Sequence, residues 1–431
     1  MHPPPPDPTH RVTISALSHG PHGIARIDGD GKVLFVRGAV PGETVEVAVR
    51  EDRGTYAFAD VCRVLSPSAG RREPPCPYLP RCGGCPWQHL EYAAQLRAKE
   101  QNVRDALRRI GGIGAAPIAP IIPSPDEYAY RGRLSMRVDG GRLGFYAGGT
   151  HELVEVGHCL LAQPAVDAAI TAAASLLRRL ASDLRRVEIA SCGDGSSVAI
   201  VGEVHGPLRT KDDTTIRGWL DAQPDVAGVV FTGKRWRRQW GDDAVAWAAE
   251  EGYALTTRAG TFTQVNPRGN RLLVQAVLDL GRFASADQVL DLYAGSGNLT
   301  VPITRRAGHV TAVEQHPDAA ADARANVARL GLSNCRIVTG DARAAVAAFA
   351  AERTACAAVV LDPPRSGAAA IIDGLLALGP ARLIYVSCNP ATLARDLKRL
   401  APRYTVDAVQ PIDLFPHSYH VETVVRAVLT C

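Results

Sequence analysis

From residue 288 onward the sequence alternates short apolar runs, rich in β-branched residues, with helical patterns. Such runs are typical of strands buried on both faces of a sheet. Strands that alternate with helices are connected in parallel, so this region predicts a doubly wound α/β sheet. The predicted strands are 289–293, 310–314, 336–339, 358–361, 384–386, and a terminal pair near 405–409 and 421–429. Ligands of such sheets bind beyond the carboxyl ends of the strands, where we expect the functional residues.

One predicted strand, 384–386, is followed by Ser387-Cys388-Asn389-Pro390. Proline opens a helix readily, because its missing N–H would have no partner in the first turn. The pattern therefore places Cys388 at the carboxyl end of a strand, where a thiol could take part in chemistry. The alternative is a small buried thiol, as most lone cysteines are.

A glycine turn follows the first strand of this region. The Gly295–Gly297 turn allows a ligand to approach the backbone closely, and Glu314, which ends the next strand, can bind both hydroxyls of a ribose. A dinucleotide fingerprint would have a third glycine where this chain has Thr300, and a Walker loop is absent from the sequence. A nucleoside cofactor without phosphates fits best, and S-adenosylmethionine is the common one. Asp341, after the third strand, could bind an adenine amino group or cap the next helix.

The 431 residues exceed what one hydrophobic core usually supports, so we expect two or three domains. Five alternating segments between residues 11 and 61, with turns such as Asp28–Gly31, predict a small closed barrel, for which the oligonucleotide-binding type is one option. An amphipathic helix is predicted over Glu91–Arg109 and a mixed α/β segment up to about residue 257.

Three cysteines within ten residues, Cys76, Cys82 and Cys85, with two glycines between the last two, indicate a metal site. A fourth thiolate is needed, and Cys159 is the best candidate, ahead of Cys62 and Cys192. The spacing alone does not separate zinc from an iron–sulfur cluster. The alternative is three unrelated structural thiols.

The net charge of +4 permits nucleic-acid binding without requiring it, so a basic surface would have to be local. The segment Lys234–Trp240 interleaves four cations with two tryptophans, which suits phosphate contacts and base stacking, or equally a solvated hairpin with extended arginines. The N-terminal arm 1–8 is proline-rich and not a secretory signal, and we find no apolar run long enough to span a bilayer. Ten cysteines without a disulfide-like spacing predict a reducing cytoplasm.

Several motifs together resemble those of the bacterial RNA uracil-C5 methyltransferases, which make 5-methyluridine. They are Asp362–Gly367, Ser387–Asp396, Phe415–Val424, Phe262–Asn266 and the cluster of Cys76, Cys82 and Cys85. The resemblance implies a TRAM barrel at 1–68, a central α+β domain with a [4Fe–4S] cluster at 69–90 and 126–257, and a class I, Rossmann-like S-adenosylmethionine-dependent methyltransferase domain at 91–125 and 258–431. The cluster ligands implied are Cys76, Cys82, Cys85 and Cys159, with zinc the less favoured alternative.

The resemblance also implies roles for single residues. Uracil C5 is too electron-poor to attack a methyl sulfonium, so a thiolate must first add to C6, and Cys388 matches that nucleophile. Glu422 matches the base that removes the C5 proton. The remaining implied contacts are Gln264, Tyr293, Gly295, Gly297, Glu314, Asp341 and Asp362 with the cofactor, and Arg131, Phe262, Asp362 and His417 with the target base. His417 could equally be structural.

The expected function is therefore methylation of uracil C5 in RNA, with 23S ribosomal RNA as the favoured substrate and transfer RNA as the alternative. The target uridine would be flipped out of an RNA loop. The expected enzyme is a cytoplasmic monomer without a membrane partner. A non-catalytic RNA-binding or chaperone protein is the alternative from another class, and the presence of Cys388, Asp362 and Glu422 together argues against it.

Overall fold

The computed structural model describes residues 10–27, 29, 31–192, 195–250 and 252–430. The proline-rich arm and two aspartates of the predicted turn, Asp28 and Asp30, lie outside these ranges. Within them, the chain forms an N-terminal barrel sheet, a central mixed sheet, a two-stranded hairpin and a C-terminal, mainly parallel sheet.

The N-terminal sheet confirms the predicted barrel. Its strands are β1 (His10–Thr13), β2 (Ala16–Leu17), β3 (His22–Arg26), β4 (Val33–Arg37), β5 (Thr44–Asp52) and β6 (Tyr56–Ser66), in the spatial order β1-β5-β6-β4-β3-β2. Alternate residues point inward, and the side chains of Leu34, Val36 and Val45 are completely buried. The first predicted strand is divided in two, because Ile14 and Ser15 leave the ladder to bond other strands through their backbones.

Helix α1 (Tyr92–Arg109) follows the cysteine-rich segment, and the central sheet comes next. Its elements are β7 (Arg133–Asp139), β8 (Arg142–Tyr146), β9 (Leu153–Glu155), α2 (Pro164–Leu177), β10 (Asp183–Cys192), β11 (Ser197–His205), α3 (Lys211–Leu220), β12 (Val226–Gly233) and β13 (Trp236–Gly241). The strand order is β13-β12-β11-β10-β7-β8-β9. Helix α2 covers β10 and β11, and α3 packs against β12 and β13. The hairpin β14 (Ala244–Glu250) and β15 (Tyr253–Arg258) leads to the last domain.

The Lys234–Trp240 segment forms the β12–β13 turn and the edge strand β13. Trp240 is buried against Phe231, and its Nε1–H donates to Asp213. Trp236 packs on the central core. The buried Trp240 indole is therefore not available to stack on a base, whereas Trp236 is half-buried.

The C-terminal sheet confirms the predicted doubly wound fold. Its elements are α4 (Pro267–Gly281), β16 (Gln288–Leu292), α5 (Thr300–Thr304), β17 (His309–Glu314), α6 (Pro317–Arg329), β18 (Cys335–Thr339), α7 (Ala342–Ala351), β19 (Ala358–Leu361), α8 (Ile372–Leu378), β20 (Arg382–Ser387), α9 (Pro390–Leu400), β21 (Tyr404–Ile412) and β22 (Glu422–Leu429). The order is β18-β17-β16-β19-β20-β22-β21, with β22 antiparallel to both neighbours. The strand order reverses between β16 and β19, which is where such sheets bind ligands.

Helix α1 packs against α9, and its Val103 and Leu107 join the core of the C-terminal sheet. We therefore infer that this helix belongs structurally with the C-terminal domain. Over the described ranges, every helix is too short or too polar to cross a bilayer.

Candidate active site

Strand register brings Cys388 and Glu422 to one edge of the sheet. Ser387, the last residue of β20, pairs with Thr423 of the antiparallel β22. Cys388 follows Ser387, and Glu422 precedes Thr423, so both lie just beyond the same pair of backbone hydrogen bonds. Asp362 follows the parallel neighbour β19, whose Leu361 pairs with Tyr385. All three side chains are therefore delivered by strand ends rather than by long loops.

These strand ends border a cavity of 640 Å³. Cys388, Glu422 and Asp362 line it together with three further residues expected from the sequence, Arg131, Phe262 and Gln264. Phe262 is 67% exposed, which is unusual for a phenylalanine and leaves its ring accessible. The remaining lining comes from Gly83, Gly84, Pro86, Val265, Pro363, Pro364, Arg365, Phe415, Ser418, Tyr419 and His420.

In the free protein, burial in this cavity favours the protonated, neutral forms of Cys388, Glu422 and Asp362. Burial raises the pKa of the Cys388 thiol to about 11; the nearby Glu422 adds to the rise, and the Arg365 guanidinium opposes it. Burial likewise raises the pKa of Glu422 and of Asp362, and the charge of Asp362 raises that of Glu422 further.

Arg365 and His420 were not assigned a role from the sequence, although both stand inside recognised motifs. Arg365 Nη2 lies 3.4 Å from His420 Nε2, and both residues line the cavity. Burial, reinforced by Arg365, lowers the pKa of His420 to about 3, so its ring is neutral. The sequence signal that could have identified them is their position: Arg365 follows Asp362 by three residues, and His420 precedes Glu422 by two.

The structure does not bring His417 into this cavity. Its ring is fully buried and lies against Tyr128, with ring centroids 4.4 Å apart. Its backbone N–H donates to Gln95 Oε1 at 2.7 Å, and its φ of 67° is in the left-handed region. Burial lowers its pKa to about 3. This placement favours the structural alternative, because no face of the ring reaches the cavity.

The glycine turn borders a second, narrow cavity of 50 Å³ beside the first. Tyr293 and Gly295 line it, and both have positive φ angles, 62° and 56°. Gln264, Phe262 and Asp362 line both cavities, which are therefore contiguous. The other lining residues are Trp247, Thr263, Asp291, Ala294, Ser296, Asn298 and Leu299.

Three of the expected cofactor residues, Glu314, Gly297 and Asp341, do not line the second cavity. The Glu314 carboxylate accepts from the N–H of Gly295 at 2.8 Å and of His316 at 2.6 Å, which fixes the glycine turn. Gly297, with φ of 96°, is buried within the turn. The Asp341 carboxylate accepts from the Ala344 N–H at 3.0 Å, so it caps α7.

Asp291 is a functional candidate that sequence reasoning missed. It ends up fully buried inside β16, lines the second cavity, and accepts from the Thr300 hydroxyl at 2.5 Å. Burial raises its pKa to about 7, and the charges of Asp362 and Glu314 add to the rise. An acidic residue within an apolar strand was the signal that could have identified it.

The four cysteines Cys76, Cys82, Cys85 and Cys159 line one cavity of 410 Å³. Burial and the other thiols raise the pKa of Cys85, while the charge of Arg131 opposes the rise. Throughout the described ranges, no group of three or more His, Cys, Asp and Glu side chains is arranged to hold a metal ion. Cys192 lies in the central sheet and Cys62 on the barrel, away from this cavity.

The chain matches known families at both ends. Residues 248–428 match the family described as tRNA (Uracil-5-)-methyltransferase, and residues 8–62 match the TRAM domain. A 23S rRNA (uracil(1939)-C(5))-methyltransferase, RlmD, of Thiobacillus denitrificans is 34% identical over 96% of this chain and 98% of its own length. An uncharacterized RNA methyltransferase of Gloeobacter violaceus is 33% identical, over 96% and 95%.

A solved structure shares the whole architecture. The Pyrococcus abyssi tRNA (uracil-54, C5)-methyltransferase, in complex with S-adenosyl-L-homocysteine, superimposes with a TM-score of 0.76 at 22% identity, over 97% of this chain and 99% of its own. At that identity the likeness shows the fold. The near full-length sequence relatives, together with the family match across the C-terminal sheet, establish that the chain belongs to the RNA uracil-5-methyltransferase family.

Proposed function

We propose that this enzyme methylates C5 of a flipped uridine in RNA, with S-adenosylmethionine as the methyl donor and Cys388 as the nucleophile. The observation that carries the proposal is the shared cavity of Cys388, Glu422 and Asp362, next to the glycine turn. A thiol, a buried carboxyl and an open apolar ring, Phe262, are the groups that this reaction needs around one pyrimidine.

The Cys388 thiol loses its proton to water, its sulfur adds to C6 of the uracil, and the electron pair of the C5–C6 double bond moves toward O4 as an enolate. Burial raises the pKa of the Asp362 carboxyl to about 7, and in its protonated form it can donate a hydrogen bond at the polar edge of the ring. S-adenosylmethionine, when bound, supplies an electrophilic methyl group. C5 takes that methyl group and still carries its own proton.

Glu422 then completes the reaction as the base. Its carboxylate removes the C5 proton, the electron pair reforms the C5–C6 double bond, and the Cys388 sulfur leaves C6 as a thiolate. The raised pKa of Glu422 suits this step, because a weakly acidic carboxyl is a stronger base once it is ionised.

The donor fits the residues around the second cavity. The Gly295 turn allows close approach of the backbone, Glu314 can reach ribose hydroxyls, and the ring of Tyr293 can pack against an adenine. Asp341 remains a candidate for the adenine amino group at the end of β18. Because the cavity encloses only 50 Å³, we expect the lining rings of Trp247 and Phe262 to move when the cofactor binds.

We propose that the cysteine cavity holds a [4Fe–4S] cluster rather than zinc. A single zinc ion draws its sulfurs to about 2.3 Å from one point, whereas a cubane holds its four cysteines farther apart around a larger body. What supports the cubane is that four thiols, its usual donor set, line one space. The cluster would cross-link the segment of Cys76–Cys85 to Cys159 and so stabilise the wall of the catalytic cavity.

The substrate we propose is 23S ribosomal RNA, because the similar Thiobacillus enzyme, which is named for that substrate, matches nearly the whole chain. Transfer RNA is the second candidate, because the family that residues 248–428 match is described as tRNA (Uracil-5-)-methyltransferase. Methyl mapping of ribosomal and transfer RNA from a strain lacking the gene separates the two.

The decisive test pairs two variants. Cys388→Ala should abolish methylation while leaving S-adenosylmethionine binding, measured by calorimetry, intact. Glu422→Gln should accumulate a protein–RNA adduct that survives denaturation, since the C5 proton is not removed. Turnover by Cys388→Ala would refute the nucleophile, and an absence of adduct in Glu422→Gln would refute the base.

A further inference from the structure

Helix α9 begins directly after Cys388 and contacts the β19–α8 loop, residues 362–371. Asn389 is the N-cap of this helix, so the position of Cys388 is tied to that of the helix. The loop carries Asp362 and Arg365, which line the catalytic cavity together with Cys388. The contacts between α9 and the loop therefore influence how the Arg365 guanidinium is placed relative to the Cys388 sulfur.

Two neighbouring side chains of α9 hold the backbone of this loop. The Asp396 carboxylate accepts from the Ala368 N–H at 2.7 Å, and Arg395 Nη2 donates to the Ser366 carbonyl at 2.8 Å. Arg395 also donates through Nε to Asp396 Oδ1 at 2.9 Å, so the two side chains act as one unit. Both loop contacts lie within three residues of Arg365 and fix the backbone from which its guanidinium extends.

The loop lies so close to α9 that one of its positions requires glycine. Gly367 has a φ of 82°, and a Cβ atom there would lie 2.5 Å from Asp396 Oδ2 and 2.6 Å from Arg395 Nη2. The Thr392 hydroxyl adds a contact to the Arg365 carbonyl at 3.2 Å. The backbone of Arg365 is therefore held against the helix.

Asp396 is a completely buried carboxylate, and both of its oxygens accept hydrogen bonds. Oδ2 accepts from the Tyr385 hydroxyl at 2.8 Å in addition to the loop N–H. Burying a carboxylate costs free energy, which these charge-assisted hydrogen bonds offset. Tyr385 stands in β20, the strand whose end delivers Cys388. Asp396 thus joins the strand that carries Cys388 to the loop that carries Arg365.

Arg365 supplies positive charge near the Cys388 sulfur. Burial raises the pKa of the Cys388 thiol and of the Glu422 carboxyl, and the Arg365 guanidinium opposes both rises. Glu422 and Asp362, the carboxyls that face the same sulfur, act in the opposite direction. A shift of Arg365 away from the cavity would leave the sulfur facing these carboxyls without that cation.

We propose that Asp396 is a positioning residue for catalysis, which holds the β19–α8 loop so that the Arg365 guanidinium faces the Cys388 sulfur and stabilises it as a thiolate. Asp396 does not line the catalytic cavity, so it acts through Arg365. The proposal rests on the proposed function, in which that sulfur adds to C6 of the uracil.

The test is a double-mutant cycle on the pKa of Cys388, read from the pH dependence of its alkylation in the full-length protein. Asp396→Asn keeps the shape of the side chain but replaces an accepting oxygen with a donor, so the loop contacts cannot all form. We expect the pKa of Cys388 to rise by about half to one unit, which means about three- to tenfold less thiolate at a given pH. Arg365→Gln should cause a similar rise, and the double variant should show little more.

The sign of the shift separates positioning from a direct charge effect. Loss of the Asp396 charge alone would lower the pKa of a nearby thiol, whereas displacement of Arg365 raises it. A fall, no change, or a rise that adds in full to that of Arg365→Gln would overturn the proposal. Methylation by the unmodified protein is measured separately: methylation with an additive cycle would reject the positioning role alone, and a non-additive cycle without methylation would count against the proposed function.

Two further variants guard against a general loss of structure. Tyr385→Phe leaves the Asp396 charge in place and removes one of its donors, so it should raise the pKa of Cys388 by a smaller amount, and it replaces Asp396→Asn in the cycle if that variant does not fold. Arg399→Gln is the matched control on the same helix, because Arg399 donates to the Ala369 carbonyl at 2.8 Å and neither residue lines the cavity. It should leave the pKa unchanged, and a rise equal to that of Asp396→Asn would overturn the specific role of Asp396.

Discussion

Lys99 and Asp413 form an ion pair in which both side chains are completely buried, with 2.6 Å between Nζ and Oδ1. The Lys99 ammonium also donates to the Phe415 carbonyl at 2.9 Å, and Asp413 accepts from the Phe415 N–H. Helix α1 thereby fixes the start of the segment 413–420, which supplies Phe415, Ser418, Tyr419 and His420 to the catalytic cavity.

Removing one partner of this pair should be costly. Lys99→Met leaves the Asp413 carboxylate buried without its counter-ion, and we expect a loss of about 3–5 kcal/mol in the free energy of unfolding, measured by denaturant titration. Lys99→Met combined with Asp413→Asn should lose less than the sum of the single changes. Arg104→Ala, which removes the exposed pair with Glu100 on the same helix, is the control and should cost about 0.3–0.5 kcal/mol. If Lys99→Met lowered the free energy of unfolding by as little as Arg104→Ala does, the prediction that the buried Lys99–Asp413 pair is costly to break would be wrong.

The rate at which Cys388 is alkylated should depend on the charged groups around its sulfur. Alkylation requires the thiolate, so the rate at the Cys388 peptide, followed by mass spectrometry, should rise about tenfold per pH unit up to a pKa of about 11. Burial raises the pKa of Glu422 to about 8, so above that pH its carboxylate opposes the thiolate, and Glu422→Gln should lower the pKa of Cys388. Arg365→Gln should raise it. Identical pH profiles for the three proteins would show that these charges do not act on the sulfur.

The cysteine cavity predicts a metal content that can be measured directly. Protein purified without oxygen should contain iron and sulfide and show the visible absorbance of a cluster, and Cys85→Ser should lose both. Cys62→Ser is the matched control, because Cys62 lies on β6 of the barrel and should not affect iron content. Zinc without iron in the purified protein would rule out the cluster.

The catalytic edge was predictable because its signals are local. A strand, a Ser-Cys-Asn-Pro turn and a helix are fixed by neighbouring residues, and the end of β20 lies where that pattern put it. His417 was harder to place, since its burial depends on Gln95 and Tyr128, which are distant in sequence. The same holds for Trp240, whose partner Asp213 stands on another element. Long-range packing decides such positions, and a single sequence carries little information about it.

In the N-terminal barrel, too, local patterns were predictable and long-range contacts were not. Alternation between residues 11 and 61 predicted a barrel, but not that the rings of Phe35, Tyr56 and Phe58 lie in mutual contact on its strands. That contact needs the pairing of β4 with the distant β6, a parallel neighbour that short-range hairpin signals do not specify.

Asp291 should make cofactor binding depend on pH in a way that distinguishes the donor from its product. Its carboxyl, with a pKa of about 7, is neutral below that pH and negative above it, in the wall of the cavity that we assign to the cofactor. S-adenosylmethionine carries a sulfonium charge that S-adenosylhomocysteine lacks, so ionisation of Asp291 should favour the donor alone. Calorimetry from about pH 6 to about pH 8 should show the affinity ratio of donor to product increasing several-fold, and Asp291→Asn should flatten the increase. A ratio that stays constant in the unmodified protein would place the sulfonium away from Asp291, and an unchanged increase in Asp291→Asn would assign the effect to Asp362, the other carboxyl of the cavity with a raised pKa.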